Sequence, residues 1–170
     1  GILLRGNLSI LRCNLTRNSN GTAGNTAGGA ISIQFISMAT NNPKLTVNQS
    51  IFQFNTAGNG AAIEDAFGST ITTEIYISNT VFYSNNSTGT LSSPSATVGG
   101  GAIKINAGLG KAVITNCTFT KNNHQGKGAA IYNNLGNVYI KNNIFSGNRS
   151  GSLTSLGSAK YDVFRESSGD

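Results

Sequence analysis

Phe-x-x-Asn recurs four times in this chain, carried by Phe52 and Asn55, Phe82 and Asn85, Phe119 and Asn122, and Phe145 and Asn148. Forms of Gly-Gly-Ala-Ile accompany it: Gly28-Gly29-Ala30-Ile31, Gly60-Ala61-Ala62-Ile63, Gly100-Gly101-Ala102-Ile103 and Gly128-Ala129-Ala130-Ile131. Two motifs in strict alternation mean that one structural unit is stacked repeatedly, which constrains the fold more than any single residue. The fuller unit is an eleven-position frame: apolar, any, apolar, two variable, small or polar, any, Phe, two variable, Asn. It fits residues 8–18, 45–55, 75–85, 112–122 and 138–148. Its third position holds Ile10, Val47, Ile77, Ile114 and Ile140, and its eighth holds Leu15, Phe52, Phe82, Phe119 and Phe145.

Positions two apart face one side of a strand, so the first and third apolar residues share a face, and the sixth and eighth repeat the pattern. Asn closes each segment where a turn begins. The glycines suit a sharp corner that needs positive φ or close backbone approach, and the Ile after them opens another strand. This is clearest in the alternating Ile31, Ile33 and Phe35. The period averages about 32 residues, and its unevenness places loops of different length on a fixed coil. The longest loops follow Ile33 and Asn85. No segment keeps a 3.6-residue apolar period over three turns, which argues against a helical solenoid. The expected fold is all-β, a right-handed single-stranded parallel β-helix of about five to six coils. It forms one domain over 1–170, with a repeat core at 8–148 and a partial further coil at 157–166. Stacked coils place Phe over Phe and Asn over Asn, and an inward Asn column can satisfy its neighbours' amides.

Composition agrees. Charged residues are only 11% and apolar residues 38% of the chain, with 22 Gly, 2 Pro and no Trp, whereas disorder requires high charge with low hydrophobicity. The net charge of +6 is spread over twelve scattered Lys and Arg. It forms no run and no aromatic–basic pattern of a known nucleic-acid reader, so nucleic acid is not an expected partner. Weak attraction to acidic polysaccharide or a cell surface follows from the charge. No run of about 20 apolar residues offers a membrane span. The chain begins at Gly1 without a signal peptide, which reads as a mature product or an excised piece.

The alternation of Gly-Gly-Ala-Ile with Phe-x-x-Asn resembles the repeats of chlamydial polymorphic outer-membrane proteins, over about residues 28 to 148. The resemblance implies a right-handed β-helix in an extended extracellular passenger that serves adhesion to host cells, carried by a C-terminal membrane barrel. The Gly-Ala-Ala-Ile variants and Leu15 depart mildly from that pattern, and nothing like the barrel is present in the 170 residues.

Catalysis on β-helices needs paired carboxylates, or Ca²⁺ with a basic residue, on one face of adjacent coils. The acids are Glu64, Asp65, Glu74, Asp162, Glu166 and Asp170. Glu64 falls in a column with Ser32, Lys104 and Tyr132, which predicts a surface ion pair with Lys104 worth at most about 1 kcal/mol. Asp65 shares a column with Ile33, Ile105 and Asn133 and marks a strand end. His124, the sole histidine, is expected exposed in the polar corner 122–127, with no triad or metal partner in frame. Cys13 and Cys117 both take the sixth position but lie three coils, or about 14 Å, apart. They are expected unpaired, inward-facing and inert. No cofactor is expected.

Asn-x-Ser/Thr sequons begin at Asn7, Asn14, Asn20, Asn48, Asn85, Asn86, Asn116 and Asn148, only mildly more than chance supplies. Asn20 and Asn86, placed in loops, are the better N-glycosylation candidates, since Asn85 and Asn148 sit in the ladder. Both ends are strand-like and uncapped, at Ile2-Leu3-Leu4 and over 159–164. Exposed edges invite pairing, so further repeats or other copies of the chain are expected end to end. The functional expectation is a non-enzymatic structural or adhesive β-helix, extracellular or on the cell surface, with a host receptor or glycan as partner. The alternative is a polysaccharide-binding or polysaccharide-degrading module.

Overall fold

The computed structural model describes residues 1–20, 28–34, 42–66, 72–89, 98–106, 110–134, 136–151 and 161–166. Among them the secondary structure is entirely strand, and it repeats coil by coil. The first coil runs through β1 (Ile2–Leu4), β2 (Asn7–Leu11), β3 (Asn14–Thr16) and β4 (Ser19–Asn20). The second has β5 (Ile31–Ile33), β6 (Lys44–Asn48), β7 (Ile51–Gln53) and β8 (Thr56–Ala57). The third has β9 (Ile63–Asp65), β10 (Glu74–Ser78), β11 (Val81–Tyr83) and β12 (Asn86–Ser87). The fourth has β13 (Ile103–Ile105), β14 (Lys111–Thr115), β15 (Thr118–Thr120) and β16 (Asn123–His124). The fifth has β17 (Ile131–Asn134), β18 (Asn137–Lys141), β19 (Ile144–Ser146) and β20 (Arg149–Ser150), and β21 (Val163–Glu166) opens a sixth.

Each strand pairs in parallel with its counterpart in the coils before and after it. The result is a six-stranded sheet, β1-β5-β9-β13-β17-β21, and three five-stranded sheets built from the second, third and fourth strands of each coil. This is a parallel β-helix. The register is the one the repeat frame predicts: Phe52 pairs with Phe82, Phe82 with Phe119, and Phe119 with Phe145. Val47, Ile77 and Ile114 stack in the same way.

Alternation along each strand builds the core. In β6, Leu45 and Val47 are buried between the exposed Lys44 and the half-buried Thr46 and Asn48. Ile31, Ile63, Ile103 and Ile131 are fully buried, as are Phe52, Phe82 and Phe119. Burial of each such side chain stabilises by about 2–3 kcal/mol. The phenyl rings lie face to face at centroid distances of 5.1, 4.7 and 5.0 Å, a geometry that adds about 0.5–1.5 kcal/mol per pair.

Two kinds of corner turn the chain. At the first, the leading glycine of each Gly-Gly-Ala-Ile motif is required by space. A Cβ at Gly28, Gly60, Gly100 or Gly128 would lie 2.1–2.3 Å from the carbonyl oxygen of the Ile three residues on, far inside contact distance. The second kind was not foreseen. The fifth and tenth frame positions all take left-handed backbone: Arg12, Gln49, Asn79, Asn116 and Asn142, then Arg17, Phe54, Ser84, Lys121 and Gly147. Such a residue turns the strand sharply, and the next side chain then points inward. The sixth position and the closing Asn follow these two turns. The loops after Ile33 and Asn85, Phe35 included, lie largely outside the described residues, as does 157–160 of the expected partial coil.

Candidate functional site

The closing Asn residues form a continuous inward ladder. Asn18 Nδ2 donates to Asn55 Oδ1 at 2.9 Å, Asn55 to Asn85 at 2.8 Å, Asn85 to Asn122 at 2.9 Å and Asn122 to Asn148 at 3.0 Å. The backbone N–H of each Asn points at the same oxygen of the next. The second amide hydrogen of Asn85 and Asn122 reaches back to the carbonyls of Phe52 and Phe82. Asn55, Asn85 and Asn122 are completely buried, so the bonds among these three are made away from water, and those to Asn18 and Asn148 at the ends are part-buried.

The sixth position carries a parallel ladder. Cys13 N–H donates to Ser50 Oγ, Ser50 N–H to Thr80 Oγ1 and Cys117 N–H to Asn143 Oδ1. Both cysteines are free, as expected. Cys117 is buried, and desolvation pushes its thiol above the ordinary value. Cys13 takes the same sixth-position geometry, its Sγ 3.3 Å from the Leu11 carbonyl as Cys117 Sγ is 3.1 Å from that of Thr115, yet it is exposed. It belongs to the first coil, which has a neighbouring coil on one side only.

A second buried region lies outside the apolar core. Ser32, Glu64, Lys104 and Tyr132 point away from the core, yet all four are buried. Segments leading into the glycine corners pack over them. A Cβ at Gly99 would meet the Tyr132 ring, and one at Gly28 would meet the Glu64 backbone. Lys104 Nζ donates to Glu64 Oε1 at 3.0 Å with only 7% and 3% of the two side chains exposed. The sequence identified the partner and misplaced the pair: it is enclosed, not on the surface. Burial raises the Glu64 carboxyl above its ordinary value, with the Lys104 charge offsetting part of the shift. Asp65 ends β9 and is fully buried, with Thr73 Oγ1 3.5 Å away. Adjacent strand residues point to opposite faces, so Glu64 and Asp65 do not form a carboxylate pair.

His124 corrects a second expectation. It is completely buried in β16, stacked on Ser87 in β12. Its Nδ1 lies 3.0 Å from Ser87 Oγ and 3.3 Å from the Ser87 carbonyl. Ser87 Oγ donates to the Gly58 carbonyl at 2.8 Å, so it accepts from His124 Nδ1–H. That polarity is opposite to a serine activated by a histidine base. Desolvation lowers the His124 pKa to about 4, with the Ser87 and Val98 carbonyls opposing and the Lys104 charge adding to the shift. The cause of the wrong expectation is plain: the two-residue strand that buries the ring has too few residues to show alternation.

The outward columns hold a feature the sequence reading passed over. Arg17 sits over the Phe54 ring at 5.9 Å, Phe54 meets Tyr83 edge-on at 5.3 Å, and Lys121 lies over Tyr83 at 5.6 Å. These four come from four successive coils and run up one corner. Beside them Asn123 Nδ2 donates to Asn86 Oδ1 at 2.8 Å. Above, Lys121, Asn123, Gly147, Asn148 and Arg149 line a cleft of about 620 Å³. The sequence signal for it is the stacking of the ninth and tenth frame positions, which brings Arg17, Phe54, Tyr83 and Lys121 to one corner. Asn20 and Asn86 lie in strands β4 and β12 and not in loops. Asn20 is exposed and Asn86 half-buried. Asn85 and Asn148 occupy the ladder as expected.

No helix among the described residues is long and apolar enough to cross a membrane, and no group of three or more His, Cys, Asp and Glu among them could hold a metal ion. Comparisons with protein-family models, curated proteins and solved structures find no match to the chain.

Proposed function

We propose that this chain is a non-enzymatic structural solenoid of the cell surface or extracellular space, whose stack continues end to end and whose outward columns serve adhesion. The repeat's resemblance to polymorphic outer-membrane passengers supports the location. The observation that carries the reading is that the inward columns come to the surface at the ends. Ile140 is 37% exposed although Ile77 and Ile114 in the same column are at most 1% exposed. Ile2 is 39% exposed although Ile31, Ile63, Ile103 and Ile131 below it are fully buried. These are the surfaces a further coil in the same register would cover, beside the edges of β1 to β4 and β18 to β21, which pair with no further strand among the described residues. A heterologous contact of this kind propagates without closing.

Charge opposes self-association. Arg5, Arg12 and Arg17 lie in the first coil and Lys141, Arg149 and Arg165 at the other end, where Asp162 and Glu166 offset only two of the three. Salt screens such repulsion over about 10 Å at 0.1 M. Electron microscopy of the purified chain across a concentration series should show rods of constant width that lengthen with concentration, more so in added NaCl. Short single particles throughout, at low and high salt alike, would defeat head-to-tail assembly.

A further inference from the structure

We infer that the corner between the third and fourth sheets binds an anionic polysaccharide, with Lys121 and Arg149 gripping its acidic groups in the cleft beside Gly147. This deepens the adhesive reading but uses only the side of one molecule, so it is testable whether or not the ends associate.

Three observations converge. First, the face is cationic along the solenoid axis: Arg17, Lys121 and Arg149 are all exposed, and they belong to the first, fourth and fifth coils. Arg17 and Lys121 are three rises apart, or about 14 Å, which suits an extended chain better than a single small anion. The described acids lie elsewhere: Glu64 and Asp65 are buried, Glu74 is on β10 beside Lys44, and in the first sheet Asp162 immediately precedes β21 and Glu166 ends it. Second, neutral donors accompany the charges. Asn123 and Asn148 line the cleft, and Asn123 is held by donating to Asn86 one coil back, so side-chain amides are available to a hydroxyl-rich ligand.

Third, the cleft exists because of a residue that the fold does not demand. The tenth frame position accepts Arg17, Phe54, Ser84 and Lys121 at φ of 49–55°, and Gly147 adopts 62°. A Cβ there would meet Lys121 Cγ at 3.8 Å, an ordinary contact. No neighbouring atom excludes a side chain at Gly147, and four of the five coils carry one at this position despite the left-handed backbone, so the missing side chain opens the space between Lys121 and Arg149.

A polysaccharide fits better than a nucleic acid. Single-stranded nucleic acids need open aromatic faces for base stacking. Here cations cover the Phe54 and Tyr83 rings, and those two rings meet edge-on.

The probe is a size-defined heparin oligosaccharide, titrated calorimetrically into the full chain, with neutral dextran and oligo-dT as comparisons. Binding should weaken as NaCl rises, and dextran should not bind. Lys121→Ala with Arg149→Ala should weaken it about tenfold or more, since each removes a charge-assisted contact. Gly147→Phe should weaken it by filling the cleft while leaving the circular dichroism spectrum intact and lowering the melting temperature only by the few degrees that left-handed backbone, about 1–2 kcal/mol, implies, because Phe54 already occupies that position in the second coil. Lys111→Ala, on the second sheet, should change nothing. Undiminished binding in the Gly147 and Lys121/Arg149 variants, equal loss in Lys111→Ala, or equal binding of oligo-dT would each overturn the proposal.

Discussion

Asn85 shows how much one residue of this repeat is asked to do. It donates to Phe52 O and Asn122 Oδ1 and accepts from both Asn55 N–H and Asn55 Nδ2. Asn85→Ala would strand several buried partners at once, each costing about 1–3 kcal/mol. The expected loss in urea unfolding is about 4 kcal/mol or more, against about 1 kcal/mol for Asn148→Ala at the half-buried end of the ladder. Equal losses would contradict the cooperative ladder. Lys104 follows the same logic with charge. Lys104→Met alone leaves the Glu64 carboxylate enclosed and should cost about 3–5 kcal/mol, whereas the double change with Glu64→Gln should recover most of that. His124 makes stability depend on pH. Its pKa is about 4 when folded against an ordinary 6.5. Between those values the unfolded chain takes up a proton that the folded chain refuses. Stability therefore falls as pH drops through this window, by about 3 kcal/mol in all. Glu64, raised by burial, titrates in the opposite sense. Wild type and His124→Asn should therefore be compared at each pH, and their difference in unfolding free energy should shift only between about pH 6.5 and 4.

At the scale of the element, the short strands owe their direction to the left-handed corners. Position ten carries Phe54, Ser84 and Lys121 at φ near 50°. Left-handed backbone costs an L-residue about 1–2 kcal/mol. Ser84→Gly should raise the thermal midpoint slightly, and Ser84→Val should lower it by destabilising the corner about 1–2 kcal/mol, because β-branching tolerates that region poorly. The opposite order would mean that the corner is set by side-chain contacts instead. Sequence signs of these corners were present in Asn79, Asn116, Asn142 and Gly147, residues that enter left-handed backbone readily. Arg12, Gln49 and Phe54 at equivalent positions obscured them, because the stacked coil imposes the angle regardless of preference.

For the molecule as a whole, each coil touches only its neighbours, so stability is close to a sum over adjacent interfaces. Among the described residues the second, third and fourth coils have neighbours on both sides in all four sheets, the first on one side only, and the fifth on both sides only at β17, which β21 covers. Hydrogen exchange should be slowest in β7, β11 and β15 and fastest in β3 and β19. Uniform protection along the stack would show an all-or-none unit instead. Assembly through the ends should flatten that gradient, because it supplies the missing neighbour.

The sequence alone determined the solenoid, its register and its core columns, because a strand's two-residue period and a fixed repeat leave one way to superimpose Phe52, Phe82, Phe119 and Phe145. It also paired Glu64 with Lys104 and kept Cys13 from Cys117, since both follow from coil number. Only the tertiary structure decided which side chains water reaches. Lys104 and His124 read as polar and therefore exposed, but the glycine corners pack against the Lys104 strand and β16 stacks the His124 ring on Ser87, so both are buried. Cys13 reads as inward, but an end coil lacks the neighbour that would enclose it. Burial depends on what folds over a residue from distant sequence, and local period carries no record of that. The same holds for the cationic corner of Arg17, Phe54, Tyr83 and Lys121, whose members meet only because four coils are wound into one stack.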